Sequence, residues 1–533
     1  MARTKSETIR IVTEEYLATD IGKDPQTTPA DVQGDILDQL KSAFDLENTV
    51  KAKNEKWQVP DRLLPIQVAT ILVQRHPIVM IETAGKNSDK EYLLLGLYQE
   101  DGPDEGLYSI SDESIENLAD TYQYGMSERE VKEMIRHLRR MAPRKELCRD
   151  KNLIAVNNGI FDFDTKQLLS FDKQYVFTAK SRVNYNPNAR NVVIHNPMDN
   201  TDWDVESWMG DLSDDPLVVE LLWQILGAII RPNVPWGKAA WFYSESGNNG
   251  KGTLCELMRE LCGEGTYASI PLSDMSKDFM LEPLTRATAI IVDENDVGTY
   301  IDKAANLKAL VTGDTVTINR KFKVALPFKF KGFMVQCLNE MPRVKDKSDS
   351  FYRRQLFIPF TKCFTGKERK YIKQDYLHRQ EVLEYVLYKV LNMTNYELDT
   401  PDSCKLALEE YKEFNDPVRQ FINEIFPDLQ WDLVPYKFLY DLYKAWYKKN
   451  VGKSDVVSQT MFNKQIRNLV QTMDDWTGEV TPIRPGTKMD KAEPLIAEYD
   501  LQDWMNPHAS GSHDIEKRCH PILRANYKGI VRK

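Results

Sequence analysis

The stretch YSESGNNGKGTLCEL, Tyr243 to Leu257, crowds glycine and asparagine in front of one lysine. The preceding KAAWFYSES reads as a buried strand. TLCELMREL then places Leu254, Leu257, Met258 and Leu261 at helical spacing. Strand, glycine-rich loop and helix is the context in which backbone N–H groups turn inward on phosphate oxygens, with the positive end of a helix behind them. Gly247 and Gly250 supply backbone freedom, and Lys251 supplies charge for the β- and γ-phosphates. A hydroxyl residue ordinarily follows such a lysine; here Gly252 takes that place and Thr253 comes next. Thr253 either reaches Mg²⁺ directly or a water stands in. The expected nucleotide-binding residues are therefore Gly247, Asn249, Gly250, Lys251, Gly252 and Thr253. The bland alternative is a glycine-rich turn carrying a surface lysine.

A second pattern lies downstream. ATAIIVDEND sets the apolar residues Ala289 to Val292 before Asp293 and Glu294. An apolar strand ending in two acids offers a Mg²⁺ carboxylate and a neighbouring base for water. Asp293 and Thr253 are the expected metal ligands and Glu294 the expected base; ATP and Mg²⁺ are the implied cofactors. Two other clusters carry less. FDFD, Phe161 to Asp164, imitates paired metal-binding acids but sits in an Asn-Gly strand-and-turn pattern. His508, His513, Cys519 and His520 match no familiar zinc spacing.

These residues need elements to hold them. Residues 1–145 read as mainly helical, with one strand-like piece, EYLLLGLYQ, after a polar Gly-Asn-Ser turn. Residues 146–205 read as short strands joined by turns. Residues 206–400 read as one domain, in which 267–360 alternate helices and strands as in an α/β fold, and 415–533 form a further unit. The fold class expected is multidomain α/β, with a central phosphate-loop domain.

The 533-residue chain is 42% apolar and 28% charged, a soluble globular composition. The longest nearly apolar run, Val218 to Ile230, is too short to cross a bilayer, and the N-terminus has no secretory h-region. Seven cysteines without a CxxC pair fit a reducing cytosol. No membrane partner is expected, and a bacterial host cytoplasm is the expected location. The net charge of −10 argues against indiscriminate coating of nucleic acid. Two stretches run against it: Arg320 to Lys345 holds seven Lys/Arg and one acid, and Leu433 to Leu469 holds seven and two.

Within the first basic stretch, TVTINRKFKVALPFKF reads as a hairpin with NRKFK at its tip. Lys321 and Lys323 suit phosphates, and Phe322 offers a face on which a base can stack. In the second, VPYKFLYDLYKAWYKK and SQTMFNKQIRNLVQTM read as two helices around a Gly-containing turn. Ser458 caps the second helix, and Asn463, Lys464 and Arg467 are candidates for duplex contact in the manner of helix-turn-helix units. The aromatic pattern of the first helix reads as core.

LKALVTGDTVTINRKFKVALPFKFKGFMVQCLNEMPRVKDKSDSFYRRQLFIPF, Leu307 to Phe360, resembles superfamily 3 helicases, most closely the poxvirus-type and phage/plasmid primase-helicase group. NGKGT is common there. NNGIFDFDTKQLL…YVFTAKSRVNYNPNA looks like the segment before the ATPase, and DPVRQFINEIFPD…NKQIRNL like the C-terminal winged-helix domain; HPILRANYKGIVRK reads as its wing. The resemblance implies an AAA+-like ATPase forming a homo-oligomeric ring, a hexamer, around single-stranded DNA and moving 3′ to 5′. It makes Asn339 the sensor that orients water, and Arg353 and Arg354 the pair supplying a finger to a neighbour's γ-phosphate, with Arg354 favoured. Lys308 is either an interface cation or a solvated helix residue. Hairpins such as Lys321–Lys323 project into the ring channel in this superfamily. The implied function is a replicative helicase of a phage, plasmid or mobile element, with origin duplex bound by the C-terminal domain and a separate primase or polymerase as partner. Rival readings are an ATP-controlled origin-binding initiator and a motor acting on another substrate.

Overall fold

The apolar runs of the central region assemble into a five-stranded sheet ordered Tyr267–Ala268, Ala289–Val292, Phe333–Leu338, Ala239–Tyr243, Gln355–Pro359. Every neighbouring pair is parallel. Parallel strands are covered on both faces, which is why AIIV is apolar throughout and FMVQCL is apolar but for Gln336, rather than alternating, and both are wholly buried. Helix Pro216–Ile230 is apolar nearly all round because it lies inside, with Leu221, Leu222, Ile225, Leu226 and Ile229 fully buried. Helix Lys251–Cys262 buries Leu254, Leu257, Met258 and Leu261, the stripe predicted from spacing. Among the described residues no helix is long and apolar enough to cross a membrane.

This computed structural model describes residues 3–85, 89, 92–450, 456–509 and 512–533. The chain divides into one unit of Met1–Asp346 with Arg353–Cys404 and a second of Lys347–Tyr352 with Lys405–Lys533. The parallel sheet belongs to the first.

The N-terminal part of that unit combines helices, among them Pro65–Arg75, Asp112–Tyr122 and Glu128–Met141, with a four-stranded sheet. Leu94–Tyr98 is the strand expected at EYLLLGLYQ; residues 86–88 of the turn before it lie outside the described residues. Ile78–Glu82, wholly buried, and Arg144–Glu146 add strands that a mainly helical reading of 1–145 did not contain. Periodicity alone does not separate a short buried strand from the end of a helix. The break is marked instead by Pro77, since His76 leaves helical backbone immediately before it.

Residues 153–169 form a three-stranded antiparallel sheet. Asp162 Oδ1 accepts from the Asp164 and Thr165 N–H groups, and Asp164 accepts from Asn152 Nδ2 and the Tyr396 hydroxyl. The acids of FDFD hold a turn.

The second unit packs helices Pro417–Ile425, Tyr436–Asn450 and Gln459–Val470 against a three-stranded antiparallel sheet, with Gly529–Arg532 between Leu433–Pro435 and Trp476–Gly478. Ser458 caps Gln459–Val470 by accepting from Met461 N. Phe438, Tyr443 and Trp446 of the aromatic helix are buried, with Tyr443 stacked on Phe462 at 4.7 Å. Gly452 of the expected inter-helix turn lies outside the described residues.

Candidate active site and nucleic-acid surfaces

Strand order decides which residues meet. Tyr243 stands opposite Leu338 on one side and Pro359 on the other, and Val292 stands opposite Gln336. The glycine-rich loop, Asn339 and the Asp293–Glu294 pair therefore all leave the same carboxyl edge of one sheet, where open α/β sheets place their ligands.

The loop is shaped by its own side chains. Asn249 Nδ2 donates to Ser246 O at 2.5 Å, and its Oδ1 accepts from Lys251 N at 3.2 Å. Gly250 has φ +87°, and a Cβ there would lie 2.5 Å from Leu212 Cδ2. The left-handed backbone favours glycine here, and a Cβ would also push the end of the Leu212 side chain aside. Gly247 lies in open surroundings. Phe364 N donates to Asn248 O at 2.8 Å, so the segment after the last strand clasps the loop from outside.

Lys251 begins the helix and turns back beneath the loop. It is 5% exposed, and its Nζ donates to Ser244 O at 3.2 Å, Leu338 O at 2.9 Å and Asn339 Oδ1 at 2.9 Å. All three acceptors are neutral. Burial pushes the ammonium below the ordinary lysine value.

Asp293 is held by a residue that the sequence did not single out. Arg259 Nη2 meets Asp293 Oδ2 at 2.7 Å, and Arg259 Nη1 meets Glu256 at 3.0 Å. Burial raises the Asp293 carboxyl, but the Arg259 hydrogen bond and charge outweigh it and leave it below the usual aspartate value. Glu294 is exposed. Asn295, also missed, is buried and pins the turn: its Nδ2 donates to Gln336 Oε1 at 2.9 Å and Cys337 O at 3.0 Å, and its Oδ1 accepts from Leu272 N at 2.9 Å. A further cation stands close: Lys373 Nζ is 4.0 Å from where a Cβ on Gly252 would sit. Only the fold shows these partners; in the sequence each reads as an ordinary polar residue.

Beside the loop opens a cavity of about 640 Å³, with Gly250 and Thr253 on its floor and Trp208, Leu212, Phe364 and Ile372 among its walls. Its size and mixed apolar and polar lining are those of a small-molecule site.

Arg353 and Arg354 lie elsewhere. They precede strand Gln355–Pro359, and Arg354 O accepts from Ala239 N at 2.8 Å, which places them at the amino edge of the sheet. A strand of about five residues, roughly 16 Å at ~3.3 Å per residue, separates them from the chain's own loop. Lys308 is paired with Asp346 at 2.5 Å.

The hairpin pairs Thr315–Arg320 with Lys323–Lys329, leaving Lys321 and Phe322 at the tip. Phe322 is 95% exposed with φ +59°, and Lys321 Nζ stands 5.3 Å from its ring centre. Lys323 is not free at the tip: its Nζ meets Asp112 Oδ2 at 2.7 Å. In the second unit Lys464 is exposed, while Arg467 is half-buried with Nε donating to Asn463 O at 3.2 Å. The Asn463 side-chain oxygen is buried, so that end of the amide faces inward rather than toward a ligand. Among the described residues, His508, His513, Cys519 and His520 enter no group close enough to share a metal ion.

Three family models match separate parts of the chain. A D5 N-terminal-like family matches residues 51–213, a poxvirus D5 protein-like family matches 413–505, and a family of unknown function, DUF5906, matches 242–354. Among solved structures, the apo C-terminal region of NrS-1 (its residues 305–718) is 15% identical, covering 79% of this chain and 96% of that one at a TM-score of 0.43. A small-molecule complex of JCV helicase is 15% identical over 45% of this chain and 62% of that one, with a TM-score of 0.24. The two D5-type matches lie one on each side of the glycine-rich loop.

Proposed function

We propose that the chain is an ATP-dependent replicative DNA helicase of a phage, plasmid or mobile element, built on an AAA+-like phosphate-loop domain. The observation that carries this reading is Lys251, an ammonium 5% exposed whose three partners are neutral oxygens. A buried charge without a counter-charge is costly, and phosphate oxygens arriving at the helix N-terminus supply one.

The residues fit ATP and Mg²⁺. Lys251 holds the β- and γ-phosphates and exchanges Asn339 for them, which leaves the Asn339 amide to orient water. Asp293, through the oxygen that Arg259 does not take, and Thr253 offer hard ligands for a hydrated Mg²⁺. Mg²⁺ held by these residues would supply positive charge against the charge that develops on the phosphates. Glu294 is the base that takes the proton from water. The cavity beside Gly250 and Thr253 receives the nucleoside.

The two arginines stand at the far edge of the sheet from their own loop, the position of residues that serve a neighbouring subunit. This supports a ring, a hexamer in the group, with Arg354 as the finger; 3′ to 5′ movement on single-stranded DNA follows the same group. The exposed, left-handed Phe322 tip supports a hairpin in the DNA path. The second unit serves as a winged-helix domain that binds origin duplex through helix Gln459–Val470, with Lys464 and Arg467 its contacts. The deciding measurement is unwinding of a forked DNA in the presence of ATP and Mg²⁺. Wild-type protein unwinds it and Lys251→Ala does not. ATP hydrolysis and selective duplex binding without strand separation would point instead to an ATP-controlled initiator.

A further inference from the structure

The helicase reading gives the N-terminal part of the first unit no task. Yet between Arg136 and Lys145 the sequence RHLRRMAPRK holds five Lys/Arg and no acid, in a chain whose net charge is −10. Helix Glu128–Met141 keeps its acids toward the start, where Glu128 pairs with Lys132 at 2.5 Å and Glu130 with Arg62 at 2.6 Å. Met134 and Leu138 face the core, which turns Arg136 and Arg140, one turn apart, to the outside; both are exposed. Arg139, half-buried, is steadied by donating to Leu93 O at 3.1 Å.

This helix end stands beside the hairpin. The hairpin is moored to the N-terminal layer at its tip by Lys323 and Asp112, 2.7 Å apart, and along its second strand by Thr83 Oγ1 donating to Pro327 O at 2.9 Å. Arg139 is near enough to act on Arg320: burial, and then the charge of Arg139, hold the Arg320 guanidinium below its ordinary value. The Glu282 and Asp112 carboxylates act on Arg320 in the opposite sense without outweighing this, so the two arginines still favour an anion lying across them.

We propose that Arg136, Arg139 and Arg140 continue the hairpin contact of Arg320 and Lys321 as one strip that binds the phosphates of single-stranded nucleic acid. The inference rests on the hairpin lying in the DNA path. Arginine suits the task because its planar fork takes phosphate oxygens two at a time.

The test uses the full chain and a fluorescent oligo-dT in anisotropy titrations over a salt series. Arg136→Ala/Arg140→Ala should bind more weakly, with the slope of log K against log salt reduced by about 1.4, at ~0.7 for each phosphate of a single strand that the protein no longer neutralises. Arg136→Lys/Arg140→Lys should restore most of the slope, which a mere folding defect would not allow. Arg129→Ala, on the acidic half of the same helix, should leave it unchanged. An unaltered slope in the double alanine variant overturns the strip. If Lys321→Ala/Phe322→Ala weakens binding in that same experiment, the hairpin reading stands and the strip alone falls. If neither variant changes affinity, both fall.

Discussion

Lys251 Nζ donates to Asn339 Oδ1 at 2.9 Å, joining the start of one helix to the end of a strand far along the chain. The bond sits at the carboxyl edge of the parallel sheet, and the lysine has only neutral partners there. Two substitutions separate binding from turnover. Lys251→Ala removes charge from the phosphates and should abolish the ATP-dependent rise in melting temperature along with hydrolysis. Glu294→Gln should keep that rise yet lose hydrolysis, trapping bound ATP. Calorimetry and phosphate release measure the two arms; full hydrolysis by either variant would overturn the site.

The sheet places Arg354 and the glycine-rich loop at opposite edges of one protomer. Arg354→Ala should therefore bind nucleotide normally and turn over far more slowly, an arginine finger being worth ~10³–10⁵ in rate. Mixing it with Lys251→Ala protein should recover part of the hydrolysis, because a mixed interface can pair an intact loop with an intact arginine. Mixed rings, shown to form by mass spectrometry, that recover no activity would assign the finger to Arg353 or remove the trans role.

Phe322 is held in left-handed backbone at a tip that is almost entirely in solvent. Stacking of a base on an aromatic ring is worth about 1–3 kcal/mol. Lys321→Ala/Phe322→Ala should thus weaken oligonucleotide binding about tenfold or more, and remove both DNA stimulation of hydrolysis and unwinding. Unwinding at the wild-type rate would put the tip outside the DNA path.

Glu493 in the second unit is fully buried, and burial pushes its carboxyl up to about 7 against the pull of hydrogen bonds from the Gln430 and Trp431 N–H groups. The folded unit therefore holds this proton more tightly than the unfolded chain does. Between the ordinary glutamate value and about 7 the native state binds more protons, so stability falls as pH rises through that window. Glu493→Gln keeps an acceptor for the two N–H groups and removes the charge. Its unfolding transition in calorimetry should be higher than wild type at pH 8, by a few kcal/mol at most, and flatter between pH 5 and 8. A wild-type pH profile in this variant would show that Glu493 does not titrate in that range.

Local patterns were legible because they depend on neighbours in sequence. The glycine-rich loop lies between KAAWFY and TLCELMREL, whose spacings differ in period, and both elements form where those periods change. The hairpin around Lys321 and Phe322 and the Ser458 cap are read from a few adjacent residues in the same way. Strand Ile78–Glu82 escaped because five apolar-rich residues directly after a helix have no period of their own. Residue order alone thus specified most of the elements around the site and the residues at their ends. Which of those ends meet was settled by strand order. Setting Ala239–Tyr243 between Phe333–Leu338 and Gln355–Pro359 brings Asn339 to Lys251 and carries Arg354 to the far edge. Docking helix Lys251–Cys262 on the sheet brings Arg259 to Asp293. Such partners are far apart in the chain, and only the burial of both faces of a parallel sheet selects one arrangement of them.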